Sequence, residues 1–392
     1  MMMQHGSCEC SKSELDVQSV PPTMTAMQDG QWTEHYPIAP VKNTSAPIEF
    51  IIPPQTEKWT DLGQSYLYLK VKLTKNDGTD LDGVTDKDVS VVNNLFHSLF
   101  SSVDLYLNNK LVTANADTYP YRAYIENLLS YNKASKDTHL KALEMWEEDK
   151  PGHMTDNKTT EDNAGWKLRK ARVFNKQCEL AGRLHLDVVL QEKYLPNGIE
   201  MRFRLNKTSS AFHLFGDHAD QEGKLQIEEA VLNIRTVQLL PVVANDLNRQ
   251  IATHNMKIPI RRVEVRTFTV STGLRSKIED HLFQGQLPKR LIIGMVANSD
   301  MNGDPQTNPF NFQFFNLSKL GVSVNGKSIH NKPFKPDFDQ EHYLSSSMSL
   351  YQATGALGLN RSKTDLSKMV LLNVVFFEYC IVERICSQCL AR

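Results

Sequence analysis

The octapeptide Gly321-Val322-Ser323-Val324-Asn325-Gly326-Lys327-Ser328 matches the phosphate-cradling pattern G-x-x-x-x-G-K-[ST] letter for letter. That chemistry needs a helix opening at the Lys-Ser pair, whose N–H groups and dipole then hold phosphate. Here the inner residues alternate as in a strand, and Pro333 and Pro336 follow closely. Nucleotide binding is therefore rejected. Cys386-Ser387-Gln388-Cys389 is a lone C-x-x-C with Cys380 nearby, while Cys8 and Cys10 stand at the other end of the chain. Structural zinc takes four ligands at paired spacings, so no metal is assigned. The 12 His are scattered, with no H-x-H or H-E-x-x-H, which argues against the metal-dependent jelly-roll enzymes. No G-x-S-x-G elbow is present. The acid pairs Glu147-Glu148 and Glu228-Glu229 adjoin lysines or strand faces and read as ordinary surface. So do the basic clusters Lys167, Arg169, Lys170, Arg172 and Arg261, Arg262, Arg266. Phe310, Phe312, Phe314 and Phe315 read as packing between two sheets rather than as a ligand groove. No catalytic, cofactor-binding or metal-ligating residue emerges, no cofactor is expected, and the chain is not expected to be an enzyme.

Composition points the same way. The 392 residues suffice for two ordinary domains, and a 40% hydrophobic and 23% charged share is that of a globular chain. A formal net charge of -1 gives no global field to gather nucleic acid or an anionic membrane. Met1 to Pro22 is polar and lacks the apolar core of a signal peptide. The most apolar run, Val370 to Val382, is too short to span a bilayer and carries Asn373 and Glu378. Six Cys in a chain this long make no disulfide framework, so a reducing compartment is expected.

The elements follow from periodicity. Met1 to about Thr44 is aperiodic and reads as a mobile arm. Tyr66 to Leu73 puts Leu67, Leu69, Val71 and Leu73 on one face, the pattern of a half-buried strand. Further strands are expected at Arg183 to Leu190, Ile199 to Leu205, Leu225 to Val237, Ile260 to Val270 and Leu291 to Val296. Pro120 opens a helix whose Tyr121, Tyr124, Ile125, Leu128 and Leu129 share a stripe. Shorter helices are expected at Asp137 to Glu148 and Leu274 to Phe283. One hairpin is written twice: Val103 to Val112 turns at Asn108-Asn109, and Leu320 to Ile329 turns at Asn325-Gly326. Such pairs tolerate the positive φ of a two-residue turn. An aromatic-rich run precedes each copy, at Asn93 to Phe100 and at Asn308 to Phe315. Many short strands, Pro/Gly turns and few helices predict a mainly β sandwich or jelly roll, duplicated.

Asn94 to Asp104, then Tyr119 to Glu126 and Leu128 to Tyr131, form an ordered set of blocks. Gly285-Gln286-Leu287-Pro288, Leu291 to Gly294, Asn308 to Gln313, and Tyr343 to Tyr351 continue it. Together they resemble the major capsid (hexon-like) proteins of Polinton/Maverick elements and adintoviruses, relatives of which sit in animal genomes. The resemblance implies a double jelly roll, two eight-stranded antiparallel sandwiches with short helices in their loops. It implies homotrimers that act as pseudo-hexameric capsomers of an icosahedral shell, a penton-type capsid partner and packaging components. Localisation would be the virion, and intracellular before assembly. No sequence-specific nucleic-acid binding and no membrane span are expected. The division implied is an arm at 1–44, a first jelly roll at 45–240 with a helical insertion at about 120–150, a connection at 241–254, a second jelly roll at 255–369 and a divergent tail at 370–392. The family's closing strands are not visible from about Asn360, so the second jelly roll is expected to be truncated, as in an endogenised copy. Val370 to Val382 is the candidate to replace one lost strand. The alternative reading is a cellular jelly-roll binding module for a carbohydrate or protein ligand.

Overall fold

The computed structural model describes residues 26–42, 44–82, 88–113, 117–217, 223–280, 282, 288–324, 326–328, 333–337, 340, 342, 344–354 and 374–378. The chain opens with β1 (Met27–His35), β2 (Ile48–Ile52), β3 (Lys58–Thr74) and β4 (Val89–Val91). After α1 (Leu95–Ser98) come β5 (Phe100–Leu107) and β6 (Lys110–Leu111). A helical insertion follows: α2 (Tyr119–Ser130), α3 (Lys133–Ser135), a π-helix (Lys136–Glu144) and α4 (Ala164–Val173). Then come β7 (Gln177–Gly182), β8 (Met201–Lys207), α5 (Ser210–His213), β9 (Leu214–Gly216), β10 (Lys224–Leu239) and α6 (Pro241–Thr253). The second half holds β11 (Arg290–Gly294), α7 (Asn298–Asn302), β12 (Ser323–Val324), β13 (Lys327–Ser328), α8 (Leu344–Thr354) and β14 (Val374–Glu378).

Two four-stranded antiparallel sheets, β1-β10-β3-β7 and β2-β8-β5-β6, build the first half, with β4-β9 as a separate pair. Counting only the strands of the two larger sheets in chain order, the pairing runs 1-8-3-6 and 2-7-4-5. That is the strand order of a jelly roll, in which the only neighbours consecutive in this numbering are 4 and 5, the β5–β6 hairpin. The cause is visible in the alternation. Leu67, Leu69, Val71 and Leu73 of β3 and Met201, Phe203 and Leu205 of β8 all point inward and are buried. Phe203 stands between Phe50 of β2 and Leu105 of β5 in one row across the inner face. Each such side chain contributes about 1.5–3 kcal/mol through burial, so a register slip of one residue would expose the whole row.

The first hairpin turns at Asn108 and Asn109, at φ of 48° and 63°. The second joins β12 to β13 with Gly326 at φ 77°. The first therefore adopts the turn that its sequence predicts; in the second, Asn325 lies outside the described residues, and Lys327 and Ser328 lie in a strand rather than at a helix start.

Several elements differ from expectation. The stretch read as a mobile arm contains β1, paired with β10 from Met27 to His35; its polar residues are those of an exposed edge strand, which carries no apolar alternation. Residues 1–25 lie outside the described set. Arg183 to Leu190 is a turn, closed by Val189 and Leu190 N–H groups on the Leu186 carbonyl, because β7 already ends at Gly182. Its Leu184, Leu186 and Val188 alternate because they plug the sandwich, not because they pair. Ile260 to Val270 forms no ladder and exposes Phe268 and Val270. Residues 274–280 are not helical, and Phe283 lies outside the described set. The helix expected to Glu148 stops at Glu144, where Met145 turns left-handed at φ 58°. The connection at 241–254 is α6, whose Ala244, Leu247 and Ile251 pack on Trp59, Val237 and Leu239. β14, inside the Val370–Val382 run, pairs antiparallel with β11.

Candidate functional site

The helical insertion and the second half meet along a seam, and a group of buried polar side chains gathers there. α2 is positioned by Pro120 in its first turn and by an apolar stripe of Tyr121, Tyr124 and Leu128. On that stripe sits the second aromatic run. Phe310 stacks on Tyr124 at 4.2 Å between ring centroids, and Tyr124 stacks on Trp146 at 5.0 Å. Phe212 and Phe312 close the cluster edge-on around Tyr121. The aromatic run is thus core, as expected for Phe310 and Phe312, but it packs on a helix between the halves rather than between two sheets; Phe315 is exposed. Gly294 of β11 fits against Phe312 because a side chain there would fall 2.9 Å from the ring.

Beside the rings lies a charged clamp. Arg169 of α4 donates to Asp149 at 2.6 Å, and both side chains are all but fully buried. Its remaining donors reach the Val91 and Glu147 carbonyls. Asn163, which caps α4, donates to the same Asp149 oxygen, and Asn308 of the second half donates to the other at 2.9 Å. Both oxygens of the carboxylate accept hydrogen bonds, in a place where losing the Arg169 partner would strand a charge.

The third group is a relay of charged and hydroxyl groups. Tyr119 Oη lies 2.9 Å from His97 Nδ1, and His97 Nε2 lies 3.3 Å from Glu144 Oε2. The His97 and His185 rings meet edge to face at 4.6 Å. His185 Nδ1 pairs with Glu126, Arg122 bridges Glu126 and Asp187, and Asp187 accepts the Val263 N–H at 3.3 Å. Asn127 donates to Glu144 at 2.8 Å. Burial holds His97 below the usual imidazole range against the pull of Glu144. Burial pushes Glu126 up, but His185 and Arg122 more than offset it. Asp187 stays above the usual carboxylate range because burial outweighs Arg122. The relay opens on a cavity of about 260 Å³ lined by Thr118, Arg122, His185, Arg262 and Glu264. Arg262 pairs with Glu264 at 2.8 Å, so the walls are mixed in sign and largely self-neutralised.

These groups can lock a packing arrangement between the insertion and the second half. Among the described residues no His, Cys, Asp and Glu side chains converge as metal ligands, and no helix is long and apolar enough to cross a membrane. The sequence motifs fall elsewhere. The G-x-x-x-x-G-K-S hairpin stands apart on the surface, and Cys8, Cys10, Cys380, Cys386 and Cys389 lie outside the described residues. Glu147, read as surface, is buried and pairs with Lys141 at 2.9 Å. Arg169, read as part of a solvated cluster, is the clamp. His97, His185, Glu126 and Glu144 share no local spacing; only the fold of the insertion brings them together. Asn94, in an Asn-Asn pair, is left-handed (φ 56°) at the start of the short helix that carries His97.

No family model matches the chain. It is 25% identical over 351 residues to an uncharacterised protein of Caenorhabditis elegans, covering 86% of this chain and 79% of the relative. Solved structures with partial likeness, each 10% identical, are viral. PBCV-1 VP54 fitted into a reconstruction of the virophage Sputnik gives a TM-score of 0.49, covering 92% of this chain and 80% of that one. The faustovirus major capsid protein gives 0.37, covering 60% and 58%. The mavirus major capsid protein gives 0.32, covering 75% and 56%. This chain thus spans little more than half the length of the last two.

Proposed function

We propose that this chain is a structural, capsid-like protein rather than an enzyme. The observation that carries the reading is the strand order 1-8-3-6 facing 2-7-4-5 in the first half, with its hairpin repeated in the second. A jelly roll followed by a second copy of its turn fits a double jelly roll, whose first unit spans residues 45–240 plus β1 and whose second lies within 255–369. The resemblance of the Asn94–Asp104, Tyr119–Glu126 and Asn308–Gln313 blocks to Polinton/Maverick and adintovirus capsid proteins supports the same reading. The chain then associates as a homotrimer with pseudo-hexagonal outline, meets a penton-type partner, and resides in the virion after intracellular synthesis. Broad protein–protein surfaces serve such a role, and no catalytic centre is needed. The two-stranded sheets of the second half, among the described residues, fit an endogenised copy whose second jelly roll is truncated.

Light scattering of the purified full chain tests this. Trimers or larger closed assemblies are expected, with a six-lobed outline by electron microscopy. A stable monomer over the micromolar range would remove the proposal.

A further inference from the structure

Tyr119 has one hydroxyl hydrogen and two demands on its oxygen. It accepts the His185 backbone N–H at 3.2 Å, and its own hydrogen can be given to His97 Nδ1 at 2.9 Å. In that arrangement Nδ1 accepts and the ring hydrogen is on Nε2, which lies 3.3 Å from Glu144 Oε2. A proton added at Nδ1 would turn that acceptor into a donor and strand the Tyr119 hydrogen inside the protein. Tyr119 cannot yield it, because burial raises its pKa. The turn that Tyr119 holds through His185 also carries Asp187, which accepts from Arg122 at 2.6 Å and from the Val263 N–H at 3.3 Å. The longer of these bonds is the tie between this turn and the second half, and a small shift of the turn breaks it first.

We propose that His97 forms an acid-sensitive latch: as a neutral imidazole it accepts from Tyr119 and so holds the 184–187 turn against the Val263 segment, and its protonation releases it. The ionisable groups around it are Glu144 from the π-helix, Tyr119, Arg122 and Glu126 from α2, and His185 and Asp187 from the turn, with Arg262, Glu264 and Arg266 across the cavity. Glu144 and Glu126 favour a proton on His97; burial and His185 oppose it, and burial is the largest influence. The native ring therefore binds its proton less readily than the free side chain, whose pKa is 6.5. The latch is fully closed above that pH and is lost as pH falls below it.

Hydrogen exchange of the Val263 amide in the full chain, corrected for its intrinsic pH dependence, reads the latch directly. Protection is expected to fall by about tenfold or more between about pH 7.5 and about pH 5.5. His97→Gln keeps an acceptor for Tyr119 but takes no proton, and is expected to flatten the profile. Unchanged wild-type protection, or the same fall in His97→Gln, would overturn the proposal. Should His97→Gln fail to fold, the NMR titration of His97 in the wild-type chain decides: a folded pKa at or above that of the free side chain sinks the latch.

Discussion

The two halves begin from the same materials and end differently. In the first, an aromatic run and a Lys-bearing hairpin are followed by β7, β8 and β10, so that two four-stranded sheets close over one core. In the second, the same run and hairpin are followed, among the described residues, by two-stranded pairings alone. Its aromatic run finds cover on α2 of the first half, while Phe268, Val270 and Ile278 stay in solvent. The difference teaches that a hairpin and an alternating pattern are permissive. What turns them into a core is a facing layer, and the second half draws much of its facing layer from the insertion in the first.

Substitutions can break that comparison. Arg169→Met should cost about 3–5 kcal/mol in urea unfolding, because it leaves Asp149 charged and buried in the clamp shared by both halves. A loss below about 1 kcal/mol would mean that the seam does not bind the halves together. Phe203→Ala should cost about 3–5 kcal/mol by opening a cavity in the closed first half. The first half should also respond to acid at His213, whose ring burial pushes down to about 4. Its native pKa lies below the ordinary 6.5, so stability present above that pH is lost as pH falls towards 4. The loss is about 3 kcal/mol at full protonation, and His213→Gln should abolish that part of the pH profile of the unfolding midpoint. Ile278→Ala, at 87% exposure in the second half, should move stability by no more than about 0.5 kcal/mol. A larger loss would show that the segment is covered in solution and would narrow the contrast between the halves.

Legibility in the sequence follows the same division. β3 and β8 were visible because each has one drier and one wetter face, which imprints a period of two. Ile260 to Val270 carries that imprint without a ladder, since periodicity records what a strand could bury and not whether a partner layer exists. β1 was missed for the opposite reason: it pairs through its backbone at a sheet edge and needs no apolar side chains. The relay was invisible because His97, Glu126, Glu144 and His185 come from three separate helices and a turn. The clamp was hidden by composition, since Arg169 stands among lysines and arginines that do face solvent.

The clamp also sets a timetable for synthesis. Asp149 finds Asn163 and Arg169 only 14 and 20 residues further on, but Asn308 lies 159 residues away. At a ribosomal pace of about 5–20 residues per second, that last partner arrives roughly 10–30 s later. A nascent first half can thus neutralise its buried charge early, while the aromatic face of α2 waits uncovered for Phe310. During that interval the emerging chain presents a sticky ring surface, a natural hold point for a chaperone and the stage at which misassembly would begin.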